Sequence, residues 1–132
     1  MKPLRLSVLA CALAATLALT SAHAKTPAEL CSLANETVNT LSGMVPIEVD
    51  SVTQTTGIAN DCGETRVQFQ RSVDLDLSTM ESDFKDFLEA QDNEYACGDA
   101  TLKQLIGAGW TVRFSYRFQS GDPVVIEAKC GG

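Results

Sequence analysis

The sequence predicts an α+β domain in which helices cover one face of a four-stranded antiparallel sheet, in the order α-β-β-α-α-β-β. Three observations carry that expectation. Apolar residues recur at helical spacing over 30–41 and again over 80–88. From Trp110 to Gln119 they alternate with polar ones, the signature of a strand buried on one side. Clusters of Gly, Asn, Asp and Pro then punctuate these segments without any long linker or low-complexity stretch.

The first helix opens at Thr26, with Pro27 in its first turn and Glu29 three residues on, the pattern of a capping box. Leu30, Leu33, Ala34, Val38 and Leu41 share one face, and Gly43 and Pro46 stop the helix. The run from Ile47 to about Thr56 is β-branched and passes through Gly57, Asn60, Asp61 and Gly63 into a second run. There Val67, Phe69, Val73 and Leu75 fall at alternate positions, so the two runs read as a hairpin. Ser78 and Glu81 give a second capping box, and Met80, Phe84, Phe87 and Leu88 place a helix reaching about Asn93. Asp99 caps a shorter helix carrying Leu102, Leu105 and Ile106, closed by Gly107 or Gly109. Trp110, Val112, Phe114, Tyr116 and Phe118 form the inner side of the third strand, read as core rather than as a ligand stack. Ser120 to Pro123 turn the chain into a last strand bearing Val124, Ile126 and Ala128 and ending at Cys130. The two halves are similar in topology, but their residues do not repeat.

Residues 1–24 are expected to be a cleaved export signal. Lys2 and Arg5 precede the apolar run from Leu6 to Leu19, and Ala22 and Ala24 supply the small residues a signal peptidase reads. The run is shorter than the ~20 residues that span a bilayer. No lipobox precedes a cysteine. Residues 25–132 are then expected to form a single disulfide-bonded domain, periplasmic or secreted.

Loss of Lys2 and Arg5 takes the net charge from −7 to −9. Such a surface repels phosphates and anionic lipids, which excludes nucleic acid as an expected partner and favours a cationic protein. The only histidine, His23, leaves with the signal. Without an imidazole the remaining chain has no Ser-His-Asp or Cys-His system and no His-containing zinc site. No catalytic residue, cofactor or metal site is expected.

Cys31, Cys62, Cys97 and Cys130 remain, an even set in an oxidising compartment, so two disulfides are expected. A four-thiolate zinc site would use close pairs such as C-x-x-C, and these four stand far apart. Four cysteines allow three connectivities, and spacing does not choose among them. The preferred pairing is Cys31 with Cys62 and Cys97 with Cys130, each pair lying at the edges of one helix-and-hairpin unit. In the chain-entropy picture loops of this size contribute roughly 3 to 4 kcal/mol each.

Asp74, Asp76, Glu81, Asp83, Asp86, Glu89, Asp92 and Glu94 are opposed in their segment only by Lys85, and the run reads as a solvated helix surface. Asp74, Asp76 and Ser78 imitate the opening of an EF-hand loop. Thr79 at the glycine position and Lys85 at the final carboxylate position break the match. On the outward side of the strands, Arg66 and Gln68, then Arg113, Ser115 and Arg117, then Glu127 and Lys129 form a candidate partner surface, mixed in sign.

The segment 95–130 resembles small exported bacterial proteins, through Cys97, Leu102, Leu105, Gly109, Tyr116, Gly121, Val125 and Cys130. There a cysteine opens a short helix, a glycine ends it, and an aromatic strand, a glycine turn and a valine-rich strand close at a second cysteine. The pattern is similar to that of the α+β pilotins of type II secretion, which escort and dock outer-membrane secretin subunits, and to secreted domains of similar size. The resemblance implies a Cys97–Cys130 bridge and a binding role, and assigns no site residue. Pilotins are typically lipidated, and this chain departs from them in lacking a lipobox and in its extra pair, Cys31 and Cys62. The expected function is thus a non-enzymatic protein-binding module, a pilotin-like accessory of envelope or secretion machinery. The alternatives are an inhibitor or immunity-type protein masking a cationic enzyme such as lysozyme, and a small carboxylate-dependent hydrolase.

Overall fold

The computed structural model describes residues 25–131; the expected signal segment lies outside them. Helix α1 spans Pro27–Ser42 and begins with the anticipated reciprocal cap, Glu29 N–H donating to Thr26 Oγ1 and Thr26 N–H to Glu29 Oε1, both at 3.1 Å. Leu30, Ala34 and Val38 are its buried stripe, with Leu33 and Leu41 packed at the margin.

The β-branched run that follows is two strands rather than one. Strand β1 is Ile47–Glu48 and β2 is Thr53–Asp61, antiparallel, with Ile47 opposite Thr55. Asp50 makes the break: its carboxylate accepts the Val52 N–H at 2.9 Å, the local turn chemistry of aspartate, and this overrides the strand preference of the valines. Strand β2 passes a bulge between Thr55 and Gly57 and continues through Asn60 and Asp61, where the sequence suggested a turn. The turn proper is Cys62–Thr65, closed by Glu64 N–H to Asp61 Oδ1 at 3.1 Å. Strand β3, Arg66–Val73, returns antiparallel to β2.

After β3 the chain makes a short 3-10 turn, Leu77–Thr79, and helix α2 begins only at Phe84, running to Gly98. The expected Ser78–Glu81 box is not formed, because Asp76 takes the Ser78 N–H at 2.9 Å and caps the 3-10 turn instead. Asp99 caps α3, Ala100–Gly107, through Thr101 and Leu102 N–H at 3.0 and 2.9 Å. Strand β4 is Thr111–Arg117 and β5 is Val124–Glu127.

The sheet has five strands in the order β1-β2-β3-β4-β5 and is mixed. The expectation of four antiparallel strands fails at one seam: β3 and β4 are parallel, Phe69 opposite Phe114. Two helices and their connections separate Val73 from Thr111, a crossover long enough to bring the chain back to the starting end of the sheet. A period of two tells which face a residue takes and says nothing of strand direction. One core unites the elements, with Val67, Phe69, Val112, Phe114, Tyr116, Leu102, Leu105, Ala34 and Ala96 each at most 2% exposed. Cys31 in α1 is bonded to Cys62 after β2, and Cys97 in α2 to Cys130 beyond β5, at Cα separations of 5.6 and 5.5 Å. Among the described residues no helix is long and apolar enough to cross a membrane.

Candidate protein-docking site

Strand alternation puts the anticipated polar surface on the sheet face opposite the core. The register sets Gln68 beside Arg113 and Arg113 beside Glu127, one row across β3, β4 and β5. Arg113 Nη2 donates to Glu127 Oε1 at 3.0 Å, while Arg113 Nε is buried without a partner. Gln70, Ser115 and Val125 form the next row. Arg117 stands opposite Ser72, and Arg66 opposite Thr111 at the far end. Lys129 lies past β5, its N–H held by Asn93 Oδ1 at 2.8 Å. The structure therefore gathers Arg66, Gln68, Arg113, Ser115, Arg117 and Glu127 on one open face, with Lys129 beyond the end of β5.

A second concavity, which the sequence reading did not anticipate, lies on the helix-covered side, where the start of α2 leans over the ends of β2 and β3. It encloses about 100 Å³ and is walled by Val52, Val73, Leu75, Met80, Phe84 and Leu88, with Tyr116 and Phe118 also lining it. Phe84 meets Phe118 edge to face at 5.9 Å. Phe87, on its lip, is 67% exposed, the most exposed of the large apolar side chains among the described residues. Drug-sized ligands occupy pockets of roughly 300 to 1,000 Å³, and an engineered apolar cavity of ~150 Å³ admits benzene. This one is suited to a single side chain.

Behind the cavity the sheet hides an ion pair. Arg71 occupies an inward position of β3 and is 5% exposed; Asp92, on the buried stripe of α2, is fully buried. Arg71 Nη1 donates to Asp92 Oδ1 at 2.7 Å and to the Tyr116 hydroxyl oxygen at 2.6 Å, and Nε to Thr55 Oγ1 at 3.3 Å. The Tyr116 hydroxyl in turn donates to Asp92, 2.7 Å from both carboxylate oxygens. The guanidinium lies 4.6 Å from the centre of the Phe114 ring, which adds a cation–π attraction. Burial raises the Asp92 carboxyl above the ordinary range, opposed by the Tyr116 hydrogen bond and by Arg71. Burial likewise drives the Tyr116 phenol up; Arg71 opposes the shift and Asp92 adds to it.

Asp92 corrects the reading of the acidic run as solvated throughout. Glu81, Asp83, Asp86 and Glu94 do face solvent, whereas Asp92 sits one further step of four along the line Phe84–Leu88 and points inward. The pairing was foreshadowed by an Arg at the inward position between Phe69 and Val73, and by an Asp on the apolar stripe of a helix. Asp74 and Asp76 are also spoken for. Asp74 Oδ1 accepts from Gln119 Nε2 at 2.7 Å, and Asp76 Oδ1 from Ser120 Oγ at 2.9 Å, tying the 3-10 turn to the β4–β5 loop. Hydrogen bonds from Ser78 and Ser120 keep the Asp76 carboxyl low. Among the described residues no group of acids, cysteines or histidines is arranged to hold a metal.

No protein-family model matches the chain, and no curated protein matches it by sequence. Solved structures do. The chain is similar to a candidate secreted protein of Pseudomonas aeruginosa at 17% identity and a TM-score of 0.62, over 79% of this chain and 93% of that one. It is similar to EpsS, the pilotin of the Vibrio vulnificus type 2 secretion system, at 20% identity and a TM-score of 0.58, over 75% and 88% of the two chains. The type II secretion pilotin AspS of Vibrio cholerae follows at 15% identity and 0.54, over 74% and 87%. At these identities the fold is what is shared. The likeness expected from residues 95–130 thus extends over most of the described chain.

Proposed function

We propose that the protein is a non-enzymatic, extracytoplasmic protein-binding module of the pilotin type, an accessory of envelope or secretion machinery. The observation that carries this reading is the pilotin fold, matched over about three-quarters of the chain by EpsS and AspS. The apolar N-terminal run and the two cystines support a periplasmic or secreted location. Two surfaces are open to a partner: the cavity beneath Phe87 and the outer sheet face around Arg113 and Arg117. The first partner to test is an outer-membrane secretin subunit from the same host, immobilised and titrated with the purified protein. Saturable binding at micromolar or lower concentration is the expected result, and no binding to any envelope protein in a parallel capture experiment would remove the reading.

The charge of −9 outside the signal favours a second reading, an inhibitor that masks a cationic enzyme. Its test is a lysozyme assay with the protein in stoichiometric excess; unchanged lysis of cell walls disposes of that version.

A further inference from the structure

The cavity beneath Phe87 has a charge character that specifies its occupant. Among the residues lining it the only charged side chain is Asp50, on the β1–β2 turn. On the other side of that turn lies a polar hollow of about 260 Å³ lined by Glu48, Asp50 and Asp74, and Asp50 and Val52 line both. Asp83, the N-cap of α2, stands four residues before Phe87, and Asp86 directly precedes it; both are exposed. The side-chain-sized cavity thus carries Asp50 in its lining and Phe87 on its lip, and the exposed start of α2 beside Phe87 bears Asp83 and Asp86 against the single cation Lys85.

We infer that this surface seats a cationic amphipathic segment of a partner protein, with one apolar side chain entering the cavity against Phe87 and a neighbouring Lys or Arg engaging Asp50. The inference rests on the protein-binding reading above and adds the location and chemistry of the contact. An acidic segment would meet like charge at Asp50, Asp83 and Asp86. A small metabolite would find too little volume. Apolar burial supplies the anchor and the flanking charges supply steering and orientation, so binding weakens as salt screens them.

The test is a calorimetric titration of the purified protein with short synthetic peptides carrying one leucine flanked by lysines. The controls replace the lysines with glutamates in one peptide and the leucine with serine in the other. The lysine–leucine peptide should bind at least about tenfold more tightly than either control, and Phe87→Ser and Asp50→Asn should each weaken it by about tenfold. Phe87 is exposed, so the Phe87→Ser protein should keep its melting temperature. No binding of the lysine–leucine peptide, equal binding of all three peptides, or binding untouched by both substitutions overturns the inference. The same Phe87→Ser protein is then put on the immobilised secretin subunit. Undiminished binding there removes the cleft while the general reading stands; failure of the unmutated protein to bind any envelope partner removes the general reading.

Discussion

Arg71 shows how a single side chain was legible in part. Its place in the alternation between Phe69 and Val73 marks it as inward-facing, and an inward guanidinium requires an anion. Asp92 is that anion, and its step of four from Leu88 is equally visible in sequence. What the sequence does not contain is the distance between β3 and α2, so an acidic run rich in solvent-facing partners concealed the one member that is buried. Removing a single member should be costly: Asp92→Ala should destabilise by about 3 to 5 kcal/mol in urea unfolding, because it strands a buried guanidinium. Arg71→Met combined with Asp92→Leu should recover most of that loss, and failure to recover would show that the pair does more than neutralise itself. Titration gives the opposite sign for different carboxyls. The folded-state value of Asp92 is raised, so in the window above the ordinary carboxylate value the folded chain holds a proton that the unfolded chain has released. The stability due to this group therefore falls as pH rises through that window. Glu29 and Asp76 are lowered by hydrogen bonds from Thr26 and Ser78, so their contribution is present above the ordinary value and lost as pH falls through the folded one. Carboxyl NMR should find the Asp92 midpoint above ~3.9 and the Asp76 midpoint below it; the reverse order would contradict the structure.

Elements with dense local signals were readable. The Thr26–Glu29 cap, the Asp99 cap and the alternation from Trp110 to Phe118 all depend on contacts within a few residues or on one buried face, and all are present. The Ser78–Glu81 box was not, because Asp76, two residues before Ser78, takes the N–H that Glu81 would have needed, and local pattern does not rank two cap residues so close together. Glycine has two clear uses. Gly109, at φ +96° with open space where a Cβ would stand, ends the loop after α3; Gly121, at φ +91°, would place a Cβ 3.1 Å from Leu77 Cδ2. Gly109→Ala should cost about 1 to 2 kcal/mol from backbone conformation alone, and Gly121→Ala at least as much, as measured by shifts in unfolding midpoint. Cys31–Cys62 ties α1 to the turn between β2 and β3, and Cys97–Cys130 ties α2 to the segment after β5. Replacing either pair by serine should remove about 2 to 5 kcal/mol, and loss of only one bridge should leave the other intact in non-reducing mass mapping.

Across the whole molecule, the α+β class and the order of the main helices and strands were legible, whereas the fifth strand, Ile47–Glu48, and the direction of the central seam were not. The parallel β3–β4 ladder, the α1–α3 packing and the Arg71–Asp92–Tyr116 group join the two halves. Both cystines stay within their own half, Cys31–Cys62 in the first and Cys97–Cys130 in the second. Between Leu77 and Asp83, therefore, the backbone is the sole covalent link. A protease nick there should leave a noncovalent heterodimer under native conditions that separates into two internally cross-linked fragments in denaturant. Mixed again after dilution, the pieces are candidates for split-protein reassembly, with the seam as their recognition surface.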